Sequence, residues 1–271
     1  RTNYKGSIMK ITPLKTNDIS VVGASKTLVY GMHGSGKTTQ CANYAKRFGK
    51  GLILSGESGL SSIADIACDY LPFTTFDRPT KEGEYSFRDL TKFVMSKEFK
   101  EAGYKWIAID SATELSQKCF ADVEAELGAD AKNGFEKWSL YERKITAALK
   151  WVRDLDMHVL ITALAAEETD DNGTTNYWPM MVQKKVQKLI PALYDNVFCL
   201  VRKTSEQNGK MAVRRYLVTD QVNGWHGKTR DPHRRLAPFE ECDDVTDLIE
   251  RIYMTDAEFA KYNGNGATNN E

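Results

Sequence analysis

Short apolar runs alternate with longer stretches of helical periodicity through the first two-thirds of the chain, a pattern that predicts repeated strand-then-helix units. Continuous apolar runs predict buried strands at 27–30, 51–55, 106–110 and 157–163, with a further short strand at 72–76. Between them, apolar residues at three- and four-residue spacing predict helices over 37–47, 60–70, 84–100, 111–127 and 135–155. Strands buried on both faces and separated by helices imply a mostly parallel sheet with helices on both sides. After residue 163 the texture changes. Residues 164–179 are polar around Asp170-Asp171-Asn172-Gly173 and predict an exposed loop. A helix is predicted over 180–193. Strands over 195–201 and 211–219, joined by the turn Gln207-Asn208-Gly209, predict an antiparallel hairpin at the sheet edge. A last helix spans 244–253, and the low-complexity stretch 264–271 reads as disordered.

A chain of 271 residues with 41% hydrophobic content supports one substantial α/β core. The predicted organisation is an N-terminal extension over 1–20, one domain over 21–255 and a disordered tail over 256–271. Met9 reads as a natural start, with residues 1–8 as a leader. No apolar run approaches the roughly 20 residues of a membrane span, and no signal-peptide pattern opens the chain, so the expected location is cytoplasmic. The five cysteines show no metal-ligand spacing and read as reduced packing residues. The net charge of zero hides an asymmetry: residues 182–235 carry twelve basic against four acidic side chains, whereas the chain from 236 onward carries nine acidic against two basic. A basic region of this kind suits a polyanionic partner or the phosphates of a nucleotide, and ordinary solvated faces look the same in sequence.

The stretch Gly31-Met32-His33-Gly34-Ser35-Gly36-Lys37-Thr38-Thr39 follows a predicted strand and opens a predicted helix, and it carries the complete G-x-x-x-x-G-K-[ST] spacing of a phosphate loop. Glycines permit the tight turn and close backbone approach, so that consecutive N–H groups face an anion at a helix N-terminus. In such a loop Lys37 neutralises the β and γ phosphates, and the Thr38 hydroxyl ligates Mg2+. Two carboxylates sit where further chemistry is expected. Asp110 ends the apolar run Ile107-Ala108-Ile109 in the manner of a Walker B strand, which makes it the metal-side acid; the alternative is a helix N-cap. Glu57 lies just beyond the strand 51–55, where it orients and deprotonates a water attacking the γ-phosphate, or stands as an exposed loop residue.

At these residues the chain resembles the RecA-like ATPases. Ser55-Gly56-Glu57-Ser58-Gly59-Leu60 looks like the segment that carries that family's catalytic glutamate, and Ile109-Asp110-Ser111 looks like its Walker B Asp-Ser. The order of the whole chain, from about Thr27 to Arg235, is similar to the phage-encoded AAA/RecA-like nucleotide-binding proteins, a group that includes RecA-like single-strand annealing proteins. The resemblance implies an α/β RecA-like P-loop NTPase with a mostly parallel central sheet, helices on both faces and an antiparallel edge hairpin. It also implies ATP and Mg2+ as cofactors, and assembly into a ring or filament with sites between subunits. Gly227-Lys228-Thr229-Arg230 looks like the K-x-R element with which such subunits reach a neighbour's γ-phosphate. Alternate residues of an extended segment face one way, so Lys228 and Arg230 either share an anion or form a solvent-facing basic pair. After the strand 159–163 the family offers a polar sensor of the γ-phosphate; Leu164 stands there instead, beside Thr162.

The segment after that strand is where RecA-like proteins contact DNA. Tyr177 and Trp178, followed by Lys184, Lys185 and Lys188, suit a single strand, since bases stack on aromatic rings while cations track phosphates. The competing reading packs Tyr177-Trp178-Pro179 onto the core. Three functions follow: an ATPase acting on single-stranded DNA in phage-type recombination or annealing; a nucleotide-dependent assembly factor or switch without DNA; and a kinase or GTPase, disfavoured because no N-K-x-D guanine-reading motif occurs.

Overall fold

The computed structural model describes residues 24–57, 59–128, 134–207 and 210–266. In chain order the elements are β1 (Lys26–Gly31), α1 (Thr39–Phe48), β2 (Gly51–Ser55), a 3-10 turn (Gly59–Ile63), β3 (Asp69–Pro72), α2 (Phe87–Val94), α3 (Lys97–Ala102), β4 (Trp106–Asp110), α4 (Ala112–Leu127) and α5 (Gly134–Arg153). There follow β5 (His158–Thr169), β6 (Thr175–Pro179), α6 (Lys184–Leu193), β7 (Asn196–Gln207), β8 (Lys210–Val218), β9 (Gln221–Val222), β10 (Trp225–His226), β11 (Phe239–Glu240), α7 (Val245–Tyr253) and α8 (Asp256–Gly266).

The strand order is β11-β8-β7-β1-β5-β4-β2-β3. Every pairing from β3 to β7 is parallel, and β8 and β11 add antiparallel strands at one edge. This is the expected mostly parallel sheet with an antiparallel edge hairpin. The runs that form its centre are fully buried, because a strand covered on both faces has no position to spare for a polar side chain. Alternation along β1 sends Leu28 and Tyr30 to a core under α2, α4, α5 and α6, and Val29 to a second core under α1 and α7. Each fully buried aliphatic side chain contributes about 1.5–3 kcal/mol to holding the layers together. At the amino end of β2, a Cβ on Gly51 would fall inside the Trp106 ring of β4, so only glycine lets these strands pair there.

Several elements differ from the sequence expectation. The helix expected over 60–70 is one 3-10 turn followed by β3, which pairs in parallel with β2 from Leu52↔Asp69 to Ser55↔Pro72. The Gly59-Leu60-Ser61-Ser62 start has weak helix propensity, and the free edge of β2 claims the following residues. The strand expected over 72–76 is instead Asp69–Pro72, sharing only Pro72 with the expected range. The helix expected over 84–100 is two helices: a Ser86/Asp89 capping box starts α2, and Ser96 Oγ accepts from Phe99 N to start α3.

The loop expected over 164–179 is a second hairpin. β5 runs six residues past Ala163 and pairs antiparallel with β6, from Ala165↔Pro179 to Thr169↔Thr175. Its turn is an Asp170 loop, in which Oδ1 accepts from Asn172 N (3.0 Å) and Thr174 N (2.8 Å) and Gly173 takes φ 80°. The helix expected from 180 starts at Lys184, because Met180 N donates to Leu164 O (2.7 Å) and Val182 N to Ser116 Oγ (3.0 Å), bonds that hold the chain extended. The edge strand β7 is longer than expected and β8 lies one residue earlier than expected; the turn residues Asn208 and Gly209 lie outside the described residues, as do residues 1–23. Residues Asp256–Gly266 form α8, so the tail expected to be disordered from 256 is helical through Gly266. Among the described residues no helix is long and apolar enough to cross a membrane.

Candidate active site

β1 delivers the chain at Gly31 to a loop at the carboxyl end of the sheet, where open α/β sheets bind ligands. Gly34 and Gly36 take φ of 67° and 106°, the left-handed and adjacent regions that side chains avoid, and α1 starts at Thr39. Lys37 Nζ donates to Gly31 O (3.0 Å) and Met32 O (2.9 Å), so its ammonium group spans the mouth of the loop. Burial pulls the Lys37 pKa down, and the nearby Glu57 and Asp110 carboxylates oppose that shift.

The strand bearing Asp110 does not neighbour β1; β5 lies between them. Side chains bridge the gap. The Thr38 hydroxyl donates to Asp110 Oδ2 (3.0 Å), and the Thr162 hydroxyl of β5 donates to Asp110 Oδ1. Asp110 is 2% exposed, a buried carboxylate whose two oxygens are each held by a threonine. The Glu57 segment arrives from the other side: Gly56 N donates to Asp110 O (2.8 Å), Ser55 Oγ to Glu57 O (2.8 Å), and the Ser111 hydroxyl to Glu57 Oε1. A Cβ on Gly59 would sit 3.8 Å from Thr38 Oγ1 and 3.9 Å from Glu57 Oε2, which places the Glu57 loop directly over the phosphate loop.

These residues fit a Mg-bound triphosphate. Ser35 Oγ is buried without a hydrogen-bond partner among the described residues, an orphan that an anion in the loop would satisfy. Lys37 rests on carbonyls of its own loop, and Thr38 with Asp110 offers a hard oxygen pair suited to Mg2+. Thr38 and Asp110 would hold Mg2+, which would supply charge neutralisation on the phosphates. Glu57 is held by Ser111 near the space above Thr38, where a carboxylate could take a proton from an attacking water.

Sequence reasoning assigns no role to Ser111, Thr113 or Arg215. Ser111 N-caps α4, and the Ser111-to-Glu114 spacing is the capping pattern that would have marked it. Thr113, in the first turn of α4, donates to Met180 O (3.1 Å) and accepts from Leu164 N (3.0 Å). The backbone of the sensor position is thus tied to the Asp110 segment, although the Leu164 side chain has no polar group. Arg215 of β8 lies against Gly36 of the phosphate loop.

The remaining predicted residues lie elsewhere. Lys228 exchanges backbone hydrogen bonds with Val197 (2.6 and 2.9 Å), which is in register with Leu28, so it sits level with the middle of β1. Arg230 N donates to Asn196 Oδ1 (3.2 Å), and its Nε pairs with Asp195 Oδ1 at 3.1 Å. Neither residue converges on the phosphate loop of its own chain. Burial lowers the Lys228 pKa, with Arg230 adding to the shift and Asp195 opposing it. Tyr177 stacks on Trp225 (4.3 Å between centroids) and Trp178 on His226 (3.6 Å), with Lys188 Nζ 5.8 Å from the Trp178 ring. Lys184 pairs with Glu168 at 3.3 Å, Lys188 with the same carboxylate at 4.0 Å, and Lys185 with Glu142 at 2.6 Å.

Fold and site together define a P-loop ATPase that uses ATP with Mg2+. The chain belongs to the family described as AAA domain, which matches residues 24–231. No curated protein matches the sequence. Similar solved structures include the flagellar accessory protein FlaH from Methanocaldococcus jannaschii, at 11% identity and a TM-score of 0.34, covering 72% of this chain and 78% of that one. An ATPase from the type III secretion system of pathogenic bacteria gives 16% identity and a TM-score of 0.40, covering 66% of this chain and 52% of that one. The RadB recombinase gives 13% and 0.38, covering 71% and 87%. Likenesses of this size carry no argument about activity.

Proposed function

We propose that the protein is a RecA-like, Mg-dependent ATPase that acts as a homo-oligomer on single-stranded DNA, in recombination or annealing of the phage type. The observation that carries the DNA assignment is a cavity of about 790 Å3, separate from the phosphate loop, lined by Trp178, Lys188, His226, Lys228 and Arg234 among others. Three chain segments bring an aromatic stack and the cations Lys188 and Arg234 to one concave surface, the combination that suits bases and phosphates of a single strand. Asp220 and Asp231 also line the cavity and temper its charge. The placement of Lys228 and Arg230 away from their own phosphate loop supports action on a neighbour's nucleotide, hence a ring or filament.

A second reading, a nucleotide-dependent assembly switch without DNA, draws on the internal stacking of Tyr177 and Trp178 and the ion pairs of Lys184 and Lys185. ATP hydrolysis titrated with single-stranded and then double-stranded DNA, with Lys37→Ala as the blank, separates the two. Stimulation by single strands alone supports the first reading; turnover indifferent to DNA selects the second.

A further inference from the structure

The β7–β8 hairpin carries two directly opposed pairs of like charge, Arg202 against Arg215 and Lys203 against Arg214. Like charges in opposite positions repel, and alternation sends the two pairs to opposite faces of the ribbon. On one face the charges are answered: Arg214 Nη1 contacts both oxygens of Glu241 (3.0 and 3.1 Å), and Lys203 Nζ lies over the Phe239 and Tyr216 rings (4.4 and 5.3 Å). On the other face Arg215 Nη1 meets Asp243 Oδ2 at 3.6 Å, and Arg202 has no ion pair among the described residues.

That second face is the one beside the nucleotide. Leu200, two residues before Arg202, and Leu217, two residues after Arg215, oppose each other on it and are fully buried. A methyl group on Gly36 would lie 3.4 Å from Arg215 Nε and 3.7 Å from Leu200 Cδ2. The guanidinium stem therefore packs on the loop residue that precedes Lys37. A triphosphate carries several negative charges, the loop motif itself supplies Lys37 as its cation, and Asp110 and Glu57 add negative charge nearby. A second cation at the loop corrects that balance.

We propose that Arg215, with Arg202 behind it, is a phosphate-binding residue of the ATP site contributed by the same chain. A guanidinium suits the task because its donors form a planar fork that matches two phosphate oxygens. The weak contact with Asp243 holds the side chain beside the loop until the anion takes over. The proposal rests on the phosphate loop being the ATP site.

The test is equilibrium binding of a fluorescent ATP analogue with Mg2+ to the full chain and to Arg215→Gln, Arg215→Lys, Arg202→Gln, Asp243→Asn and Lys37→Ala. Arg215→Gln is expected to weaken binding about 10- to 100-fold, as loss of a charge-assisted hydrogen bond does. Arg215→Lys recovers part of the loss, and Arg202→Gln costs about two- to five-fold. Asp243→Asn leaves binding unchanged or tighter, because it frees the guanidinium. Arg215 exposes 42% of its side chain, so these changes leave the fold intact, with unchanged melting as the control. The proposal is overturned if Arg215→Gln binds within two-fold of wild type while Lys37→Ala does not bind. It is also overturned if Asp243→Asn reproduces the Arg215→Gln loss, which would make the ion pair structural, or if Arg215→Gln loses affinity for single-stranded DNA alone. Undiminished binding by Lys37→Ala would instead remove the ATP-site assignment, and this proposal with it.

Discussion

Thr38 and Asp110, 72 residues apart in sequence, meet through one hydrogen bond of 3.0 Å across a strand that belongs to neither. The pair joins the end of the phosphate loop to the end of β4, and it is where Mg2+ would enter. Asp110→Asn keeps the shape and the bond to Thr162 while removing the charge. Turnover is expected to fall at least about 100-fold and to lose its Mg2+ dependence; a Mg2+ titration of ATP hydrolysis checks both.

With Glu57 as the proposed base, Glu57→Gln should bind ATP within about three-fold of wild type while kcat drops about 100- to 10,000-fold. Ser111→Ala frees the carboxylate without removing it, and a smaller loss in kcat, about ten-fold, is expected with KM little changed. Steady-state kinetics beside direct binding measurements separate the two effects. Loss of ATP binding in Glu57→Gln would assign that residue a structural role.

Thr113 ties α4 to the base of the β5–β6 hairpin through Leu164 N and Met180 O. Thr113→Val keeps the volume and removes both bonds, whereas Thr113→Ser keeps the hydroxyl. Hydrogen exchange over residues 165–179, with and without an ATP analogue, should show nucleotide-dependent protection in the wild type and in the serine variant. The valine variant should lose most of that difference.

Action between subunits is testable by mixing. An Arg230→Ala chain retains its own Glu57, and a Glu57→Gln chain retains its own Arg230. Mixed in one assembly they create a share of interfaces with both groups intact, and ATPase activity above that of either variant alone is the expected result. No recovery at any ratio would remove the action in trans.

His158 Nδ1 accepts a hydrogen bond from Ser25 N (3.1 Å), and its ring stacks on Phe48 (4.1 Å). Burial, then the charge of Lys26, lowers its pKa below the ordinary 6.5. As pH falls through about 6.5 the unfolded chain takes up a proton that the folded chain resists, so stability is full above that pH and declines below it. Thermal unfolding should occur about 2–5 °C lower at pH 5.5 than at pH 7.5. His158→Asn keeps an acceptor and should flatten this dependence, apart from the same-signed contribution of His226.

The central strands could be read directly because burial on both faces leaves an uninterrupted apolar run, as in Trp106-Ile107-Ala108-Ile109. The phosphate loop was legible for a different reason: its geometry needs glycine and lysine at fixed spacing. The β5–β6 hairpin was hidden, since the polar stretch Glu167-Glu168-Thr169 offers no apolar run and what covers it, Gln187 of α6 and Trp225 of β10, lies farther along the chain. Tyr177 and Trp178 could be placed near lysines from sequence, yet their stacking partners Trp225 and His226 lie almost fifty residues on. Arg215 escaped for the same cause: only the hairpin register brings it to Gly36.

The hydroxyl of Tyr30, one residue before the phosphate loop, donates to Tyr177 O (2.9 Å) and accepts from His226 N (2.9 Å), two residues before Lys228. One buried ring therefore ties the strand that holds a chain's own nucleotide to the segment proposed to touch the next chain's. The two surfaces are different patches of one chain, so subunits joined through them associate head to tail. An open array built this way has two unlike termini, one with an uncontacted phosphate loop and the other with an unused basic segment. Growth and disassembly at those termini then have different nucleotide requirements, which gives the array a direction.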